Sequence, residues 1–269
     1  MADLPPAPTL RARDVAVSYG HSPVIGGADL TVRDKAFTAL LGPNGSGKST
    51  LLRAFAGMQR LAGGSIELDG RPIARRPVRD VARRIAVLPQ GPSTPEGLTV
   101  RGLVEQGRYP HRSLFGRWGE DDGRAVTRAL DLTGLNDHAE RPLETLSGGQ
   151  RQRAWIAMTL AQDSEILLLD EPTTFLDLAH QIELLDLVVA LVRERGKTVV
   201  AVLHDLNQAA RYADWIVLLK DGRIIAEGVP AEVLTQETIL QVFDVPCRIV
   251  PDPVSNTPLC IPLTRAERG

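Results

Sequence analysis

The chain has 269 residues, 43% of them hydrophobic and 24% charged, with a formal net charge of −2. That length can bury a sizeable core as one large domain or two small ones, and the charge leaves no basic excess for gripping nucleic acid. No run of about twenty apolar residues occurs, so nothing is expected to span a membrane unaided.

Cys247 and Cys260 are far apart and show no CxxC spacing, so two reduced thiols are expected rather than a metal clip or a disulfide. Residues 1–8 lack the basic start and apolar stretch of an export signal and read as a disordered lead-in. Beyond them, Val15, Val17 and Tyr19 alternate with polar or small residues, and a second apolar stretch follows at Val24–Val32. The pattern predicts a pair of antiparallel strands. The run Ala36–Leu41 ends in a glycine-rich loop, and a helix is expected from Lys48 to about Gly57. Together they form a strand-loop-helix unit of the parallel-sheet kind. Gly64–Leu68 reads as an outer strand and Ile85–Leu88 as a buried one.

From about Ser93 to Gln162 the pattern changes. Helical segments near Val100–Arg108, Asp121–Thr133 and Gly149–Ala161, with Pro92, Pro95 and Gly97 at the start, predict an inserted helical lobe. Buried strands return at Ile166–Leu169, Thr198–Leu203 and Trp215–Leu219. Between them Leu178, Ile182, Leu185, Val189 and Val192 recur at helical spacing, and Gly196 is the expected terminator. This alternation argues for a layered α/β core in one domain with subdomains.

Residues Gly42, Pro43, Asn44, Gly45, Ser46, Gly47, Lys48, Ser49 and Thr50 contain the pattern GxxxxGK[ST] in full. Its glycines let backbone N–H groups point inward at a β-phosphate, and the following helix adds its positive N-terminal end. Lys48 would reach the β- and γ-phosphates of ATP, and the Ser49 hydroxyl would ligate Mg2+. Ile166–Asp170 has four apolar residues ending in an acid, the pattern of a buried strand delivering a carboxylate to the ligand-binding sheet edge. There Asp170 would hold Mg2+, and Glu171 would polarise the attacking water.

Leu146-Ser147-Gly148-Gly149-Gln150, followed by Arg151-Gln152-Arg153 and then by a hydrophobic strand ending in Asp-Glu-Pro, resembles the nucleotide-binding subunit of ABC transporters. The likeness runs from Tyr19 to about Val229. It implies a P-loop NTPase (RecA-like) α/β core with an antiparallel β-subdomain and an inserted α-helical subdomain at about 93–162, within a domain spanning 9–245. Residues 246–269 then form a C-terminal tail packing on the core.

The resemblance also implies roles. Tyr19 stacks on adenine, although an aromatic ring at a strand end also suits plain packing. Gln90 touches Mg2+ and the water and links the core to the lobe. Phe175-Leu176-Asp177 crosses a dimer seam, and His204 contacts the γ-phosphate. Ser147, Gly148, Gly149 and Gln150 of one copy close over ATP held by the phosphate loop of another, so two ATP molecules act as glue in a head-to-tail dimer.

The ensemble Gly107-Arg108-Tyr109-Pro110-His111, Trp155 and Thr173–Asp177 with His180-Gln181 is similar to ATPase subunits of bacterial ferric siderophore importers. It is more loosely similar to those for haem and cobalamin. A peripheral subunit on the cytoplasmic face is implied, gripping membrane permease subunits through the lobe and the Gln90 loop and serving an extracytoplasmic substrate-binding protein indirectly. A non-transport ABC ATPase is the weaker reading, because neither a long heptad insert nor a second cassette is present.

Overall fold

In chain order the strands alternate with helices, as periodicity predicts, and the computed structural model describes residues 10–92, 96–112 and 118–264. Strand β1 (Leu10–Tyr19) pairs antiparallel with β2 (Ser22–Thr31). In β1 Leu10, Ala12, Val15 and Val17 are buried. The alternation skips a residue where the register shifts between Ala12 and Val15, a bulge in which Asp14 takes a left-handed φ of 45°. Strand β3 (Phe37–Leu41) is buried throughout and leads into α1 (Lys48–Phe55).

Next come β4 (Gly63–Leu68), β5 (Arg71–Pro72), α2 (Val78–Arg84) and β6 (Ile85–Leu88). The expected outer strand Gly64–Leu68 is β4, which lies between β1 and the two-residue β5 in a separate sheet ordered β2-β1-β4-β5. Three longer helices make the lobe: α3 (Val100–Gln106), α4 (Glu120–Leu132) and α5 (Gly148–Ala161). After it follow β7 (Ile166–Asp170), α6 (Leu178–Arg195), β8 (Thr198–Val202), α7 (Leu206–Tyr212), β9 (Trp215–Lys220) and β10 (Arg223–Gly228). The short helices α8 (Pro230–Val233) and α9 (Gln236–Phe243) precede a hairpin of β11 (Cys247–Pro251) and β12 (Pro258–Pro262). The lead-in 1–8, Pro95 and residues 265–269 of the tail lie outside the described residues.

The six-stranded sheet has the order β10-β9-β3-β8-β7-β6, parallel except for β10. Both faces are covered, so its central strands read as unbroken apolar runs. On β3, Phe37, Ala39 and Leu41 pack into one cluster with residues of α6 and α7, whereas Leu40 joins α1 and the four-stranded sheet on the other side. Gly196, at φ 60°, ends α6 as expected.

The lobe has its own apolar cluster of Leu103, Val126, Leu130, Ala154, Ala157 and neighbours. Polar contacts carry much of its junction with the core. Arg79 and Arg83 of α2 both donate through Nε to the Pro110 carbonyl, at 2.8 and 2.9 Å. The Gln162 amide donates to the carbonyls of Ala82 and Ile85, and the His111 Nε2 is 2.7 Å from the Gln162 carbonyl. At the other end, the Asn207 side chain brackets the Cys260 peptide, accepting from its N–H at 2.7 Å and donating to its carbonyl at 3.2 Å. Both cysteines are buried free thiols, and burial with the neighbouring Cys247 thiol pushes Cys260 up to about 12.

Inside the lobe, the buried Arg108 guanidinium meets Asp122 Oδ1 at 2.9 Å and the Ala161 carbonyl at 2.9 Å. Burial raises the Asp122 carboxyl, but hydrogen bonds from Arg108 and the Gly119 N–H outweigh it and hold the group below its ordinary range. Arg108→Met is expected to cost about 2 kcal/mol near neutral pH, because the half-buried Asp122 carboxylate loses its charge-assisted hydrogen bond. A depressed carboxyl stabilises the fold above its unfolded pKa and loses that contribution as pH falls through the folded one. The penalty seen by thermal melting should therefore shrink toward acid pH, and adding Asp122→Leu should recover most of it.

Candidate nucleotide site

The strand order places four chain ends side by side. Moving across the sheet, the C-terminal ends of β3, β8, β7 and β6 are followed by the Gly42–Lys48 loop, His204, Glu171 and Gln90. All four loops converge on a cavity of about 420 Å3 lined in part by Asn44, Lys48, Ser49, Gln90, Glu171 and His204.

The loop after β3 needs its glycines where the backbone turns tightest. A side chain at Gly42 would start 2.1 Å from the Leu219 carbonyl, and Gly47 takes φ 97° with Ile25 Cδ1 2.5 Å from where its Cβ would lie. Gly47 opens α1, whose first turn presents N–H groups without intrahelical acceptors. The Lys48 ammonium is curled under the loop and donates to the carbonyls of Gly42 at 2.9 Å and Pro43 at 2.8 Å. Burial pulls Lys48 below its ordinary pKa, against the upward pull of Glu171 and Asp170. Gly45 and Thr50 also line the cavity, whereas Gly42, Pro43 and Ser46 are not part of its lining, and Ser46 is buried.

Asp170 ends β7 with 1% of its surface exposed. Its Oδ1 accepts from the Ser49 hydroxyl at 2.7 Å, Arg53 lies 3.9 Å from Oδ2, and Oδ2 has no hydrogen-bond partner. Burial pushes the Asp170 carboxyl up, with the Ser49 hydrogen bond and the Arg53 charge opposing.

Glu171 has φ 53°, a left-handed backbone that a non-glycine residue rarely adopts. The turn swings its carboxylate into the cavity, where Oε1 lies 2.9 Å from His204 Nε2 and Oε2 accepts from the Thr174 hydroxyl at 3.2 Å. Thr174 is a contact of the Glu171 carboxylate that sequence reasoning missed. A hydroxyl three residues past an acid in a turn was the available signal, but it served only as part of the family pattern.

Not every expected residue joins this cavity. Tyr19 is half exposed, and its hydroxyl donates to Gln59 Oε1 at 2.8 Å. The Ser147–Gln150 turn is not part of the lining. It caps α5 instead: Ser147 Oγ accepts from the Gln150 N–H at 3.3 Å, and Gln150 Oε1 accepts from the Ser147 N–H at 3.1 Å. That box leaves the Gly148 and Gly149 N–H groups as first-turn donors without intrahelical acceptors.

The profile of the ABC transporter family matches residues 25–174. The probable siderophore transport system ATP-binding protein YusV of Bacillus subtilis is 52% identical over 94% of this chain and 92% of its own. The ferric enterobactin transport ATP-binding protein FepC of Escherichia coli is 50% identical over 95% of this chain and 94% of its own. Among solved structures, an inward-facing ABC transporter assigned to the metal-chelate type superposes with a TM-score of 0.83 at 30% identity, covering 96% of this chain and 98% of that one. With its phosphate loop, acid-ended strand and capped Ser-Gly-Gly turn all in the arrangement just described, this chain belongs to the ABC transporter family as an ATP-binding subunit.

Proposed function

We propose that the chain is the ATP-hydrolysing subunit of an importer for a ferric siderophore, and that it works by closing head to tail on a second copy around two ATP molecules. The observation that carries the reading is the Glu171–His204 pair, 2.9 Å apart, lining one cavity with the Lys48 loop and Gln90. The Ser147 turn lies outside that lining, which supports its use on a neighbour's nucleotide. Two solved structures of one similar cassette, MJ0796, are dimers, one of them bound to ADP and Pi.

In this reading the α1 N-terminus and the Lys48 ammonium bind the β- and γ-phosphates, with the ammonium turning from the loop carbonyls to phosphate oxygens. The Ser49 hydroxyl, the Asp170 carboxylate and the Gln90 side chain would hold Mg2+. The fit is good, because two hard oxygen donors lie 2.7 Å apart and the buried Asp170 Oδ2 lacks a partner. Bound there, Mg2+ would neutralise charge on the phosphate oxygens. Glu171 takes the proton of the attacking water or fixes its orientation, while His204 steadies that carboxylate and faces the γ-phosphate. The Ser147 hydroxyl and the Gly148 and Gly149 N–H groups of the second copy cover the same phosphate. Phe175, 81% exposed, stands at the seam.

The load is a permease. Among the described residues no helix is long and apolar enough to cross a membrane. The printed roles of the relatives as transport ATP-binding proteins support a separate membrane subunit, with this chain bound to it at the cytoplasmic face. An apolar groove of about 610 Å3 runs between the end of α1, β4, α2 and Gln162 at the edge of the lobe, and Met58 and Val78 in its lining are exposed. It suits a helix of a permease subunit. The relatives' printed roles in siderophore and enterobactin transport support the cargo.

Glu171→Gln should retain ATP binding, lose turnover by at least about 100-fold and trap a dimer, read by light scattering with ATP present. A monomer under those conditions would contradict the role given to Glu171. Asp170→Asn separates stability from function. Burial raises the Asp170 carboxyl, so its ionised form destabilises the fold above the ordinary carboxyl pKa, and that cost fades as pH falls below it. The variant should melt about 2–4 °C higher at neutral pH, the shift expected for about 1 kcal/mol in a domain of this size. The gain should vanish toward about pH 4, and ATP hydrolysis should be lost at every pH. For the cargo, a deletion strain should lose uptake of radiolabelled iron supplied as a ferric siderophore while keeping cobalamin uptake. The reverse pattern would reassign it.

A further inference from the structure

Thr173–Leu176 and His204 stand on opposite sides of Glu171, and a second route of hydrogen bonds joins them behind it. Gln181, in the first turns of α6, donates through Nε2 to the Leu176 carbonyl at 3.0 Å and leans on the Thr173 carbonyl at 3.5 Å. Its Oε1 accepts from Gln208 Nε2 on α7 at 2.8 Å. The Gln208 backbone N–H in turn donates to the Asp205 carboxylate at 2.9 Å, and Asp205 follows His204 directly. The front route is His204 to Glu171 Oε1, then Glu171 Oε2 to Thr174. The two routes close a ring with Phe175 on its outer rim.

We infer that Gln181 and Gln208 are positioning residues for ATP hydrolysis, their side-chain amides binding the seam-facing Phe175 turn and the His204 turn into one unit. The inference rests on the role proposed above for Glu171 and His204. The chemistry at position 181 is specific. The group must donate to a carbonyl and accept from a second amide at once, which a carboxamide does and a carboxylate or thioether cannot. The amide orientations also follow from the contacts, since a carbonyl at Leu176 admits only the Gln181 NH2, leaving its oxygen for Gln208. Left-handed backbone at both Glu171 (φ 53°) and Phe175 (φ 65°) makes this turn one that outside contacts must hold. When a second copy presses on Phe175, the displacement reaches His204 through these two amides, so arrival of the partner is sensed at the catalytic carboxylate.

The test is steady-state ATP hydrolysis by the purified full chain, with melting temperatures recorded alongside. Gln181→Met and Gln208→Met should each lower kcat about fivefold, about 1 kcal/mol at 1.36 kcal/mol per factor of ten, with KM for ATP within about twofold of wild type. The double variant should be no slower than the slower single one, as expected for one shared contact. Gln208→Lys keeps a donor facing Gln181 Oε1 and should recover at least half of the wild-type rate. Multiplicative loss in the double variant, a raised KM with unchanged kcat, wild-type rates throughout, or a Gln208→Lys as slow as Gln208→Met would each overturn the bridge. So would losses that merely track the melting temperature. Wild-type protein that hydrolyses no ATP would instead sink the reading of the whole site.

Discussion

A carboxylate buried at the end of a parallel strand, tethered by one hydroxyl, is the constraint around which this molecule is arranged. Asp170 joins β7 to the first turn of α1 through Ser49, with β8 between β7 and β3 in the sheet. Apolar packing on both faces fixes those strands, so the carboxylate cannot move to relieve its own desolvation. In the proposed mechanism that uncomfortable charge has a use, because the same position would offer a phosphate-bound cation hard oxygen ligands. Lys48 carries the complementary discomfort, an ammonium desolvated beneath the loop. In the proposed reading, stability and ligand affinity pull against each other at these two residues.

Much of this was legible in the sequence because the signals were local. A short apolar run, glycines, a lysine and a helix are contiguous, so the phosphate loop follows from chain geometry alone. The parallel strands are buried on both faces and read as unbroken apolar stretches, and α6 matches its expected span from Leu178 to Arg195. What escaped was set by distant contacts. Strand β10 is mixed in character, Arg223–Gly228, and owes its place to pairing with β9. The tail hairpin pairs only with itself and is held by Asn207, a residue with no pattern around it.

The site shows the same division. Lys48, Ser49, Gln90, Glu171 and His204 come together around one cavity although they follow four different strands. Motif spacing named Lys48, Ser49 and Glu171, whereas Gln90 and His204 came from the family resemblance. Spacing could not reveal that Glu171 sits in a left-handed turn or that Thr174 steadies its second oxygen. Nor could it reveal that Gln181 and Gln208 share an amide contact. Those depend on the meeting of α6 and α7, which the linear order does not encode in any short window.

Under the proposed coupling to a permease, the double grip of Arg79 and Arg83 on the Pro110 carbonyl would bear on how force reaches the lobe. Two donors from one helix converge on one acceptor, with the Gln162 amide on the Ala82 carbonyl of the same helix beside them, so α2 is tied to the lobe at one small patch. The apolar groove opens on the same helix, since Val78 and Val81 line it. A push delivered there would therefore swing the lobe about that point instead of dragging it bodily, and its far end, bearing the Ser147 turn, would travel the longer arc.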